Sequence, residues 1–391
     1  MKKRILTLLL STVITASLLA GCGSTSGQDT APAQTADQPA AADQSADQSA
    51  DQATEDTDAQ AADAAESKEP VTLKIVAFNS MIAHIDSIVA KNAGFYEKEG
   101  VIPDFTYNNS NPDNIQALLE GKVDLVSAGA TAVLQYIDQG SDIVIIGGQM
   151  SSGETLYCLP ERADEFKELT QETLAGKKVG VSRMNTGDIV FRRILKDKGV
   201  DLSTIEFVEL DSQATVTQAV ASGEVDLGIN FLTYREAAEA QGLVPLTHFD
   251  KEDEWPGFVC CRLFTTRDKL NANREAFKNA VKANIEAYAL IVEDHEAGMK
   301  AALEDLTIDE STLQNQLFDY GHVGIGPNPD KKNTSEFYDA MVNIGYSEGN
   351  AKVEDHIDTS LYIDALTELL EENPDSQVYK DLWEESEATN R

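Results

Sequence analysis

Polar residues gathered where apolar runs stop are the first feature of this sequence that could do chemistry. Asn79-Ser80-Met81, Ser127-Ala128-Gly129-Ala130-Thr131, Arg183-Met184-Asn185-Thr186-Gly187-Asp188, Asp211-Ser212 and Asn230-Phe231 are short clusters of amides, hydroxyls, small residues and a few charges. Such groups hydrogen-bond a small molecule and fix its orientation. Nucleophilic and metal chemistry find less support: there is no G-x-S-x-G, no P-loop and no Rossmann glycine fingerprint. His84, His248, His295, His322 and His356 form neither H-E-x-x-H nor any paired ligand spacing. No catalytic residue, metal or cofactor is expected. An enzyme would need an acid–base pair, such as Glu154 with Asp188 in one cleft.

Each cluster has a plainer use as well. Thr186 and Asp188 are helix-capping types, a use compatible with ligand contact by Thr186 or Gly187. Arg183, in so acidic a chain, can pair with a carboxylate. Phe231 and Trp255 can pack in a core or a hinge, although Trp255 beside Pro256-Gly257 is also placed to cover a small ligand. Cys158, Cys260 and Cys261 fit no zinc spacing, and the adjacent pair reads as two small apolar residues of a buried strand rather than a vicinal disulfide.

The elements that position these clusters are read from a stretch used twice. Leu118–Gly129 and Ala219–Asn230 both run from an apolar helix end into a glycine (Gly121, Gly223), one variable residue and Val-Asp-Leu. The glycine reads as a left-handed C-cap and the apolar run as a buried parallel strand. Upstream, Thr72 and Gly176 each begin a strand, polar turn, helix and glycine. The pattern predicts two lobes of similar α/β topology, with a mostly parallel sheet in each.

Strands are expected at Thr72–Asn79, Ile102–Asn109, Val123–Ser127 and Ile143–Gly148, then at Lys178–Ser182, Ile205–Leu210 and Leu227–Asn230. The chain crosses between Gln149 and Pro160 and returns near Trp255 through Phe258–Thr266. From Asn273 onward the pattern is helical and packs on the first lobe. Domain boundaries are a leader over 1–21, a tether over 22–68, lobe 1 over 69–152, lobe 2 over 153–256 and the rest of lobe 1 over 257–391. Ligands of open α/β sheets sit beyond the carboxyl ends of the strands. The expected ligand contacts are therefore Asn79, Ser80, Met81, Ser127, Gly129, Ala130, Thr131, Arg183, Asn185, Thr186, Gly187, Asp188, Asn230, Phe231 and Trp255.

The chain has 67 acidic against 31 basic residues, a net charge of −36, which repels nucleic acid. Its first 22 residues have a basic start, an apolar stretch and Leu19-Ala20-Gly21-Cys22. From Gly23 to Lys68 the composition is Ala, Gln, Asp, Ser and Thr, which cannot offset the entropy of ordering, so a flexible tether is expected.

With Leu19-Ala20-Gly21-Cys22 resembling a lipobox, the tether, the TLKIVAFN strand, the helix into AGFYEKEG, the EGKVDLVSAGATAVLQYIDQGSDIVIIGG block and SGEVDLGIN, the chain resembles solute-binding lipoproteins of bacterial ABC importers. The branch includes nitrate, sulfonate and taurine binders and thiamine-pyrimidine-precursor binders. The resemblance implies a two-lobed type II periplasmic-binding fold with hinge strands, closing on a small solute and delivering it to a permease driven by an ATPase subunit. It implies lipidation of Cys22, a monomer anchored to the membrane by lipid only, on the outer face of what a lipid anchor suggests is a Gram-positive cell. A lipid-anchored enzyme or a ligand-sensing surface lipoprotein stay open as alternatives.

Overall fold

The computed structural model describes residues 69–250 and 254–391. The leader, Cys22 and the tether lie outside the described residues. Among the described residues the strands are β1 (Val71–Ala77), β2 (Val101–Tyr107), β3 (Leu125–Gly129), β4 (Ile143–Ser152), β5 (Glu154–Cys158), β6 (Lys178–Ser182), β7 (Glu206–Leu210), β8 (Leu227–Phe231), β9 (Val244–His248), β10 (Val259–Thr266) and β11 (Val323–Ile325). They form two sheets, ordered β11-β4-β10-β3-β1-β2 and β7-β6-β8-β5-β9. All strands of the second sheet come from 154–248, and all strands of the first come from outside that range.

The repeated stretch builds the same unit in each sheet. Gly121 and Gly223 both have φ +75°, the left-handed conformation in which a side chain is strained. Each is followed by a strand, β3 or β8, whose residues are all buried. Pro103 lies in β2, which is an edge strand, where a residue without an N–H leaves no central ladder bond unmade. The IVIIGG run is buried as expected, but β4 continues through Ser152. It can do so because Gly148 lets another segment approach: a Cβ there would stand 2.1 Å from the Asn328 carbonyl oxygen.

The expectation of mostly parallel sheets needs correction. β1 is parallel to β2 and β3, and β6 to β7 and β8. β10, however, is antiparallel to β3 and β4, β11 to β4, and β5 to β8 and β9. Parallel neighbours require a crossover of a dozen residues or more. The strands that carry the chain between the sheets are the reversed ones: β4 and β5, in different sheets, are joined by Gly153 alone, and β10 re-enters the first sheet on the return. The first crossing is a single residue, Gly153, within the expected Gln149–Pro160 stretch.

The helical region beyond Asn273 covers the first sheet. The helix Arg274–Glu293 packs against the helices Ile85–Asn92 and Ser360–Glu372, with Phe277, Val281, Ile285, Leu361 and Leu366 in one apolar cluster with Leu73 and Ile75 of β1. The helix Lys331–Asn343 touches both Ala130–Asp138 and Thr186–Asp197. Phe337 on it stacks on Trp255, ring centroids 5.6 Å apart. Among the described residues no helix is long and apolar enough to cross a membrane.

Candidate functional site

Three helix starts meet in a cleft between the sheets. Ser110 caps the helix Asn111–Leu119 through the Asp113 N–H (3.4 Å), Ser212 caps Gln213–Ala221 through the Thr215 N–H (3.2 Å), and Asn185 caps Thr186–Asp197 by accepting from the Gly187 N–H (2.7 Å). The cleft encloses about 360 Å³. From the first sheet it is lined by Phe78, Ser80 and Met81 after β1 and by Asn109–Pro112 after β2. From the second it is lined by Ser182, Arg183 and Asn185 after β6, Asp211–Gln213 after β7, and Tyr234 after β8. Each stretch lies at the carboxyl end of a parallel strand.

Beneath the cleft, and sharing Phe78, Met81, Asn111, Asn185 and Gln213 with it, is an inner chamber of about 60 Å³. Its remaining walls are Gly129, Met150, Glu154, Met184, Thr186, Phe231, Cys260 and Cys261. Met184 has φ +54°, a conformation costly for a large side chain and held here by the turn from β6 into the capped helix. Phe231 is seated by Gly153, which has φ +97° and whose Cβ, if it had one, would stand 2.0 Å from the ring.

Two groups of the chamber have perturbed acidity. Glu154 is 2% exposed, and its Oε2 has no hydrogen-bond partner among the described residues; burial, then the nearby Cys261 sulfur, pushes its carboxyl up to about 8. The sulfurs of Cys260 and Cys261 are 3.8 Å apart, so the pair is two thiols. The contact between them raises the Cys260 thiol and lowers the Cys261 thiol, with the nearby His84 ring adding to the second shift. His84 Nδ1 accepts the Phe78 N–H at 2.8 Å, which fixes the loop after β1 against the chamber.

Of the residues expected from sequence, Ser80, Met81, Gly129, Arg183, Asn185, Thr186 and Phe231 line this site. The others do not, each for a definite reason. Asn79 turns to the far side, giving its amide to the Asp305 carbonyl (3.1 Å). Ser127, Ala130 and Thr131 are fully buried in β3 and the helix after it. Gly187 packs under the sheet, where a Cβ would stand 2.6 Å from Ile229. Asp188 accepts from Arg192 Nε at 2.6 Å, and Asn230 shares a hydrogen bond with Thr217 Oγ1 at 2.7 Å. Trp255 is core, between Phe337 and the Arg193 guanidinium, which lies 4.1 Å from its ring centre.

Arg183 is both pocket-lining and, at 3.6 Å, paired with Glu209. Because Asp188 is spent on Arg192, Glu154 and Asp188 do not form an acid–base pair in the cleft. Among the described residues no group of three His, Cys, Asp or Glu could hold a metal. Sequence reasoning missed Asn109–Pro112, although the strand-end rule applied to β2 would have found it. It also missed Met150, Gln213 and Tyr234, and gave no ligand role to Glu154, Cys260 or Cys261.

Two sheets built from one interrupted chain, with a cleft at their facing strand ends, define a two-lobed periplasmic-binding-protein fold. The chain belongs to the family described as NMT1/THI5 like, which matches residues 81–297, more than half of it. A Brucella abortus (strain 2308) relative, whose name says binding protein and gives no ligand, is 26% identical over 231 residues, covering 58% of this chain and 69% of its own. Solved structures share the fold at lower identity. The periplasmic aliphatic sulphonate binding protein of Escherichia coli superposes with a TM-score of 0.61 at 19% identity, covering 75% of this chain and all of that one. The periplasmic nitrate-binding protein of Synechocystis PCC 6803 gives 0.63 at 16%, covering 77% and 89%. The ligand-binding component of a Staphylococcus aureus ABC-type import system gives 0.61 at 15%, covering 76% and 99%.

Proposed function

We propose that this chain is the solute-binding subunit of an ABC importer: it captures a small organic solute between its lobes and passes it to a permease driven by a separate ATPase. The observation that carries this reading is the cleft with its buried inner chamber, lined from both sheets by strand-end loops and helix caps. Family membership and the import proteins among its structural neighbours support it. Lobe 1 is taken as 69–152 with 257–391 and lobe 2 as 153–256. Closure about Gly153 and the Trp255–Phe258 return would bury the solute, exclude water and strengthen each polar contact.

The same reading makes the chain a monomer, not an enzyme, held on the outer face of a Gram-positive membrane by lipid on Cys22. The lipobox residues are what support the anchor. A thermal-shift screen of small solutes tests the function: a ligand at a hundred times its dissociation constant adds ~2.7 kcal/mol of stability. A bound solute recovered unchanged supports transport, and one recovered as product overturns it. Small-angle scattering should show compaction on saturation, and an unchanged profile would count against hinge closure. Cys22→Ala should release the chain from the membrane fraction.

A further inference from the structure

The inner chamber has one acidic group short of partners: among the described residues only the Gly187 N–H, which it shares with Asn185, approaches the Glu154 carboxyl. Glu154 is 2% exposed, its Oε2 has no partner among the described residues, and the Gly187 N–H beside it is already donated to Asn185 at 2.7 Å. Among the described residues no lysine or arginine lines the chamber. What surrounds the carboxyl is electron-rich: the rings of Phe78 and Phe231 and the sulfurs of Met81, Met150 and Met184. Aromatic faces attract cations, and polarizable sulfur tolerates them. A sulfonate or nitrate placed here would meet a carboxyl group and no counter-charge.

We propose that the solute carries a compact cationic nitrogen group, seated in the inner chamber with Glu154 as its counter-ion, and a polar remainder in the outer cleft. This rests on the solute-binding reading and narrows it. The outer cleft suits a polar remainder, since Ser80, Asn109, Ser110 and Ser212 line it together with Arg183 and Asp211.

Proton linkage follows. Without a cation beside it, burial keeps Glu154 protonated at neutral pH, since it pushes the carboxyl up to about 8. A cation stabilises the ionised form, so binding expels the proton. The other titratable groups lining the chamber are Cys260 and Cys261, on β10, with the His84 ring near Cys261; the helix Thr186–Asp197 presents the backbone of Gly187. A neutral ligand accepting a hydrogen bond from protonated Glu154 would release no proton.

The test is isothermal titration calorimetry of the full chain in detergent at neutral pH, in buffers of different ionisation enthalpy. The probes are guanidinium, ethylammonium and choline, with nitrate, ethanesulfonate and pyrimidine as comparators. The expected result is binding of at least one cation with release of close to one proton, and affinity that rises with pH up to about 8. Glu154→Gln should weaken that binding about tenfold or more, which corresponds to about 1.4 kcal/mol. Cation binding without proton release, or unaffected by Glu154→Gln, overturns the inference. Binding of anions or neutral compounds alone overturns it too but leaves the solute-binding reading intact; silence across all six probes counts against both.

Discussion

Asp124 and Asp226, 102 residues apart, make the same clip in the two sheets. The Asp124 carboxylate accepts the Lys74 N–H at 2.9 Å while its own N–H reaches the Lys74 carbonyl at 2.7 Å; Asp226 does the same with Lys178, at 2.6 and 2.9 Å. Each also takes a cation from outside the clip, Lys269 for Asp124 and Arg162 for Asp226. The aspartate of the repeated Val-Asp-Leu is therefore a register pin between β1 and β3 in one sheet and between β6 and β8 in the other.

Removing that pin should cost stability without touching the ligand. Asp226→Ala orphans the Lys178 N–H and leaves Arg162 with Glu165 alone, a loss of about 1–3 kcal/mol, to be read from denaturant unfolding. Burial raises the Asp226 carboxyl, but the Lys178 N–H and Arg162 outweigh it and hold it below the usual range. A depressed carboxylate contributes stability that is complete above its unfolded value and lost as pH falls through its folded one. The difference between wild type and Asp226→Asn should therefore shrink in acid below about pH 4.

Glu154 has the opposite sign. Its carboxyl is raised to about 8 in the folded chain, so the folded state holds a proton that the unfolded state gives up, and stability falls as pH rises from about 4.5 to about 8. Glu154→Gln removes this slope and should be more stable than wild type by a few kcal/mol at alkaline pH, since each tenfold difference in proton affinity between the two states is worth about 1.4 kcal/mol. Equal stability curves for the two proteins would refute this.

Gly153→Ala should be among the most damaging small substitutions. The position has φ +97°, and the added methyl would stand 2.0 Å from the Phe231 ring. Backbone strain of about 1–3 kcal/mol adds to displacement of the ring into the inner chamber. Loss of melting temperature together with loss of affinity is expected, whereas Gly94→Ala, also left-handed but with open space around it, should cost stability alone.

Trp255→Ala separates packing from binding. It removes the stack on Phe337 and the surface under Arg193, at a cost of about 3–5 kcal/mol, yet the side chain does not line the site. Ligand affinity under conditions where the variant is folded should change little; a large loss would place Trp255 over the ligand after all.

The sequence revealed most where local chemistry repeats. Gly121 and Gly223 announced their C-caps, and the runs after them announced β3 and β8, because a left-handed glycine and a two-sided buried strand each leave a compositional mark. The outer cleft was half legible by the same logic: Ser80, Arg183 and Asn185 sit at carboxyl ends of parallel strands. The inner chamber was not, since Glu154, Cys260 and Cys261 stand at the amino ends of strands that run the other way. Their approach depends on the one-residue crossing at Gly153, a tertiary fact. Asn79, Asp188 and Asn230 look identical on paper to ligand contacts, and only their partners Asp305, Arg192 and Thr217 show that their hydrogen bonds are spent elsewhere.

The place of β10 between β3 and β4 has a consequence for how the molecule is made. During synthesis β1 to β4 emerge first, but the strand that joins them into one sheet is encoded after all of β5 to β9. Until residues 259–266 have left the ribosome, β4 has no partner and β3 has only β1, so the N-terminal part of the chain carries open strand edges. The second sheet, encoded in one continuous stretch, can form first, and closure of the first sheet becomes a late, long-range event. A nascent chain stalled before residue 259 should therefore protect amides in β6 and β8 while those in β4 still exchange.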